Sequence, residues 1–137
     1  MSKQGGFTLL ELLIVLTITS FVALFALPKM YQSLTYQGHR HHLELFSSDI
    51  FYIQNQALFT AKSIEIKPNK EKYWIISSTK QTERIYPDDL YLTYYPAKTI
   101  FTTRGVLKTP ATYTYRHSNG QYTVTFPFGK GREYVTE

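Results

Sequence analysis

The sequence predicts an α+β protein in which one long N-terminal helix packs on a small antiparallel β-sheet head. Residues 7–27 are almost uninterrupted apolar sequence, residues 29–61 keep a helical period with polar positions, and from Lys62 the hydrophobic period becomes two. The head is small for an independent core, so we expect the helix to supply part of that core. The predicted segments are a leader (1–6), a transmembrane helix (7–28), an amphipathic helix (29–61) and a β-rich globular head (62–137).

The apolar run has the length of a membrane span. At about 1.5 Å per residue it extends roughly 30 Å, the hydrocarbon thickness of a bilayer. Glu11 is its only charged residue, and Pro28 ends it. The run is longer than the apolar part of an ordinary secretory signal, and no A-x-A cleavage site follows it. An unprocessed single-pass anchor is the plain alternative.

The amphipathic segment predicts a helix from about Met30 to Ala61, weakened near Gly38. Apolar residues recur at spacings of three and four and predict a buried stripe on the head: Leu43, Phe46, Ile50, Ile53 and Ala57. Polar residues fall on the opposite face: Glu44, Ser48 and Asn55. Phe51 and Leu58 lie seven residues apart and off the stripe, which makes them candidates for contact with another chain.

Beyond Lys62, β-branched and aromatic residues alternate between proline and glycine breakers. This pattern predicts seven strands: Ser63–Lys67, Tyr73–Ser77, Arg84–Tyr86, Leu90–Tyr94, Thr99–Thr103, Thr112–His117 and Gln121–Phe126. The last two form a hairpin across Asn119-Gly120, a preferred pair for a type I′ turn. That turn predicts the pairs His117 with Tyr122, Tyr115 with Val124, and Tyr113 with Phe126.

Composition excludes several kinds of site. The chain has no cysteine, hence no disulfide, thiolate zinc site or cysteine nucleophile. His39 and His42 could share a helical face, but no acidic residue or cysteine completes a ligand set, so we predict a solvated polar patch. Asp88-Asp89 is interpreted as a turn. Because the sequence contains no nucleophile elbow or phosphate loop, we expect no enzymatic activity, cofactor or metal.

The segment Gly5-Gly6-Phe7-Thr8-Leu9-Leu10-Glu11-Leu12 closely resembles the prepilin processing site of type IV pilins and pseudopilins. The resemblance implies that a prepilin peptidase cuts after Gly6 and methylates the new N-terminal Phe7. It also implies that Glu11 meets the N-terminal amine of a neighbouring subunit during assembly. Pro28 corresponds to the family's helix-kinking proline, where a local bend or melting is expected.

The rest of the chain points to one branch of this family. The Leu43–Ala57 pattern, Ile100-Phe101-x-x-x-Gly105 and Phe128-Gly129-x-Gly131-Arg132 resemble minor pilins of the GspH/FimT type. The short leader, absent cysteine and small head look most like the ComGD-type minor pseudopilins of the Gram-positive competence pilus. This implies a structural role in filament initiation and assembly for DNA uptake. A minor pseudopilin of type II secretion is the rival within the family.

The resemblance also implies partners and a location. The partners would be the prepilin peptidase, a major pilin, other minor pilins, a membrane platform protein and an assembly ATPase. The protein would cross the cell membrane once and then reach the cell surface in a pilus. A DNA-binding tip subunit is a further alternative, because basic residues alternate with aromatic residues in the strand region. The candidates for DNA contact are Arg84, Arg104, Lys108, Arg116, Lys130 and Arg132.

Overall fold

The computed structural model describes residues 8–127 and 133–137. It divides into two compact units, Met1–Gly38 and His39–Glu137. Helix α1 (Leu9–Thr60) belongs to both, so the two predicted helices are one element. The helix continues through Pro28 without the expected melting. Proline lacks only its own N–H, and the hydrogen bonds on either side of it can persist.

The second unit contains eight strands in two four-stranded antiparallel sheets, where a single sheet was expected. The first sheet has the order β3-β2-β1-β5, with β1 (Ile64–Pro68), β2 (Lys72–Ile76), β3 (Gln81–Ile85) and β5 (Thr99–Phe101). The second has the order β4-β6-β7-β8, with β4 (Tyr91–Tyr94), β6 (Ala111–His117), β7 (Gly120–Phe126) and β8 (Tyr134–Thr136). The short edge strand β8 was not predicted.

The β6–β7 hairpin forms, but the predicted register is wrong by two residues. Tyr115 pairs with Tyr122 and Tyr113 with Val124, so the connecting residues are Ser118 and Asn119. The Asp89 carboxylate accepts hydrogen bonds from the Ser118 N–H (3.3 Å) and hydroxyl (2.7 Å). This contact from outside the hairpin anchors the turn one residue earlier than Asn-Gly chemistry predicts. Because side chains alternate with a period of two, the shift leaves the buried face unchanged.

The C-terminal part of α1 packs against both sheets. The Phe46 ring contacts Tyr73 of β2 at 5.2 Å and Tyr113 of β6 at 5.3 Å, measured between ring centroids. Four residues of the predicted stripe are fully buried and Leu43 is partly buried, which confirms the stripe: Phe46, Ile50, Ile53 and Ala57. The helix therefore supplies the centre of the core, as expected.

The prediction that His39 and His42 form a solvated patch is wrong. His39 is 2% exposed and His42 3%. The His42 ring makes edge contacts with Tyr86 and Tyr115, at centroid distances of 5.1 Å and 5.6 Å. These rings form an aromatic cage, so His42 is surrounded by side chains and not by water. Among the described residues no group suited to holding a metal ion occurs. Both histidines belong to the core of the head.

Gly105 lets the β5–β6 loop approach the helix closely. Its φ is +67°, and a Cβ atom there would lie 2.8 Å from the Gln54 carbonyl oxygen and 3.1 Å from Leu58 Cγ. A side chain would meet both left-handed backbone strain and a backbone clash. This conformation gives a physical reason for glycine at a position that the sequence motif had singled out.

Gly105→Ala is expected to destabilise the head by about 2 kcal/mol or more, because strain and clash add. Gly38→Ala is the matched control, since nothing lies within 4 Å of its added Cβ and alanine favours helix. Urea unfolding of the detergent-solubilised chain, followed by the fluorescence of Trp74, the single tryptophan, measures both. Equal stability of the two variants would contradict the close approach.

Candidate assembly site

The described part of the N-terminal unit begins with a capped helix. The Glu11 N–H donates to the Thr8 hydroxyl at 3.3 Å, and the Leu12 N–H donates to the Thr8 carbonyl oxygen at 3.1 Å. Thr8 is therefore the N-cap, and Glu11 stands at the third helical position, which is the sequence spacing of a capping box. An acidic residue also suits the positive end of the helix dipole. Sequence analysis missed this local role, although Thr8-x-x-Glu11 is its signature.

The other polar side chains of the apolar segment are satisfied within the helix. Hydroxyl groups donate to the carbonyl four residues earlier, at 2.6 Å for Thr17, 2.9 Å for Thr19 and 2.7 Å for Ser20. These bonds remove the cost of placing a hydroxyl in an apolar medium. Within the described residues the Glu11 carboxylate, the one charged group of the apolar segment, has no ion-pair partner.

The apolar segment exposes its side chains all round. Leu9 is 79% exposed and Phe25 63%, and no part of the most apolar window is buried. By length and composition α1 is the one helix of the described chain that could cross a membrane. Gly6 and Phe7, the predicted cleavage and methylation residues, lie outside the described residues.

In the second unit, the outward face of α1 is aromatic and uncharged near its C-terminal end. Phe51 is 45% exposed, Leu58 55% and Phe59 91%, and Tyr52 is 55% exposed beside them. The sequence from Ile50 to Ala61 contains no charged residue. Exposed apolar side chains grouped on a folded unit are candidates for a protein contact. Sequence analysis identified Phe51 and Leu58 here but missed Tyr52 and Phe59.

Arg84, a candidate for DNA contact, belongs to a hydrogen-bonded cluster with the helix. Its Nε and Nη2 atoms donate to the two Asp49 carboxylate oxygens at 2.9 and 3.1 Å. The Tyr73 hydroxyl donates to the same carboxylate at 2.7 Å. The bond from Arg84 to Asp49 raises the pKa of the guanidinium further, while burial and the Asp49 charge raise the pKa of the Tyr73 phenol. The cluster links α1 to β2 and β3.

Of the other candidates for DNA contact, three lie among the described residues. Arg116 is exposed on β6 of the second sheet, whereas Arg84 turns toward the helix from the first. Arg104 and Lys108 are exposed in the connection between β5 and β6. Lys130 and Arg132 lie outside the described residues, as does most of the Phe128–Arg132 motif.

Comparisons with known proteins agree with both parts of the chain. A family described as the prokaryotic N-terminal methylation motif matches residues 1–27. No curated protein sequence matches the chain. The structure is similar to that of the type IV minor pilin FimU from Pseudomonas aeruginosa strain PAO1, with a TM-score of 0.58 and 14% sequence identity. That likeness covers 75% of this chain and 91% of FimU. The chain thus combines an N-terminal methylation motif with the fold of a type IV pilin and is type IV pilin-like.

Proposed function

We propose that the chain is a minor pilin of a competence pilus, with a structural role in filament initiation and assembly for DNA uptake. One observation carries the proposal. A capped, exposed apolar helix segment bears a single charge, Glu11, within the match to the prokaryotic N-terminal methylation motif. The type IV pilin fold supports it further.

Assembly would begin with processing. The prepilin peptidase cuts between Gly6 and Phe7 and methylates Phe7, which leaves an amine two residues before the Leu9 start of α1. An isolated carboxylate in a membrane costs roughly 2.5–3.5 kcal/mol, so Glu11 gains from pairing with the amine of a neighbouring subunit. Pro28 removes one backbone donor and lets the helix adjust on leaving the bilayer.

The subunit would then pass from a single-pass membrane form to the surface filament of a Gram-positive cell. Its partners are a major pilin, other minor pilins, a membrane platform protein and an assembly ATPase. In the filament, the exposed Phe51 and Leu58 offer an uncharged surface for an adjacent subunit, and Tyr52 and Phe59 extend it. Covering these side chains would contribute by the hydrophobic effect, at about 25 cal/mol per Å².

Glu11→Ala is expected to leave membrane insertion and cleavage normal and to abolish co-assembly with partner pilins. Breaking a buried ion pair by removing one partner costs about 3–5 kcal/mol. Crosslinking to other pilins, a transformation assay and intact mass measure the outcome. The mass should show loss of Met1–Gly6 plus one methyl group.

Glu11→Gln separates the pairing from the local capping role. Glutamine also completes a capping box but carries no charge. If charge pairing matters, the Glu11→Gln protein fails to assemble, as the Glu11→Ala protein does. Normal assembly of the Glu11→Gln protein would show that Glu11 acts only within its own helix. If cells that carry the Glu11→Ala protein transform like wild type but lose protein secretion, the chain would instead belong to a type II secretion system.

A further inference from the structure

The outward face of the second sheet is a hydroxyl surface bounded by two exposed tyrosines. Its centre is a block of four threonines on β6 and β7, in which Thr112 pairs with Thr125 and Thr114 with Thr123. Tyr94 of β4 pairs with Thr114, and Tyr134 of β8 pairs with Thr125. Paired residues point to the same side of a sheet, so these six side chains share one surface, here called the threonine face.

The two tyrosines of the threonine face are exposed, and its four threonines are half-buried. Tyr94 is 66% exposed and Tyr134 54%. No hydrogen bond among the described residues engages the four threonine hydroxyls, each of which can donate and accept. Tyr94 and Tyr134 stand on the outer strands of the sheet, three strand spacings apart and offset by two residues along the strands, which is roughly 16 Å. An extended ligand could reach both rings across the threonines.

The charge of this face differs from that of the first sheet. The first sheet carries ion pairs, including Lys72 with Glu83 at 2.8 Å and Lys67 with Glu65 at 3.7 Å. The four strands of the second sheet contain no aspartate or glutamate, and Arg116 and Gln121 continue the threonine face at one end. Solubility alone does not require strands without acidic residues, because the mixed charges of the first sheet already keep that sheet soluble. Within the described residues, these strands lack carboxylates and the cations are few, namely Arg116 and Lys70, whose Nζ lies 5.6 Å from the centre of the Tyr91 ring; this favours a neutral partner.

We propose that the threonine face binds a neutral, extended polysaccharide chain. Aromatic rings stack on the apolar C–H faces of pyranose rings, and hydroxyl groups exchange hydrogen bonds with sugar hydroxyls. A flat β-1,4-linked chain matches a sheet that offers rings at both edges and hydroxyls between them. A single-stranded nucleic acid would also stack on tyrosines, but it needs several cations for its phosphates, and the described residues offer only Arg116 on the face and Lys70 at its edge.

The test is co-sedimentation of the full chain, in detergent micelles, with insoluble chitin and insoluble cellulose. The expected result is binding to at least one polymer that persists in high salt, because no ion pairs are involved. Tyr94→Ala with Tyr134→Ala should weaken it about tenfold. Tyr52→Ala removes an equally exposed tyrosine from α1 and should bind as wild type.

Three outcomes would overturn the proposal: no binding to either polymer, equal binding by the double variant, or loss of binding in high salt with competition by oligothymidylate. Thr114→Val with Thr123→Val keeps side-chain shape and tests the hydroxyls without threatening the fold. Binding does not depend on the proposed function, so Glu11→Ala protein should sediment like wild type. Failure of assembly and failure of polysaccharide binding are thereby distinguished.

Discussion

Asp49→Ala is expected to destabilise the head by about 3 kcal/mol, one of the two largest effects predicted for a single side chain. The Asp49 carboxylate, 7% exposed, accepts from the Tyr73 hydroxyl and from two nitrogens of Arg84. Its loss leaves a buried phenol without an acceptor and a cation without its counter-charge. Removing one partner of a buried pair costs about 3–5 kcal/mol, and the partial exposure of Arg84 places this case at the low end.

Unfolding of the detergent-solubilised chain in urea measures the loss, with Trp74 fluorescence as the signal. Glu44→Ala is the matched control, since it removes a carboxylate from the same helix whose pair with Arg40 is exposed and 3.9 Å long. Surface pairs contribute less than about 1 kcal/mol. A loss below about 1 kcal/mol for Asp49→Ala would show that the cluster does not hold the helix to the first sheet.

The parts of the fold that follow from periodicity could be predicted from the sequence. The stripe of Phe46, Ile50 and Ile53 is buried because spacings of three and four place these side chains on one face. The strands were found to within a few residues because proline and glycine mark their ends. The hairpin register was not predicted correctly, because it depends on Asp89, which is distant in sequence from the turn at Ser118.

The main failure of the sequence analysis was that it did not predict the burial of polar residues in the core. Histidine and aspartate are usually exposed, and nothing local reveals that His42 meets tyrosines from β2 and β6 or that Asp49 meets Arg84. Those contacts depend on the pairing of remote strands with the helix. The N-terminal motif is the opposite case, because a short segment carries its own signal. Its match over residues 1–27 agrees with the expected processing site, while cleavage at Gly6 stays a prediction.

The threonine face could not be predicted from the sequence, for a related reason. Threonines at alternate positions are ordinary in strands, where β-branched side chains are favoured. Only the pairing of β4 and β8 with the central strands brings Tyr94 and Tyr134 to the edges of one surface. The same topology places Arg84 in the first sheet and Arg116 in the second, and direct DNA contact stays a prediction.

The head is expected to lose stability as the pH falls from about 6.5 toward 4, and His42 is the main cause. Burial lowers the pKa of His42 to about 4, although the Asp49 charge opposes the shift and His39 reinforces it. Burial and the nearby His117 also lower the pKa of His39. In the unfolded chain both titrate near 6.5. The folded state therefore binds fewer protons, so the stabilisation is complete above about pH 6.5 and is lost on acidification.

For His42 alone the loss amounts to about 3 kcal/mol by pH 4, since each unit of pKa difference corresponds to about 1.4 kcal/mol. Urea unfolding at a series of pH values from about 7.5 down to about 4.5, followed by Trp74 fluorescence, measures the slope. His42→Phe keeps an aromatic ring in the cage of Tyr86 and Tyr115 but cannot take up a proton, so most of the slope should disappear. His41→Phe alters an exposed neighbour whose charge is the smallest of the four influences on the pKa of His42, so most of the slope should remain. A slope that survives His42→Phe would place the acid sensitivity in other groups, because no proton could then be bound at position 42.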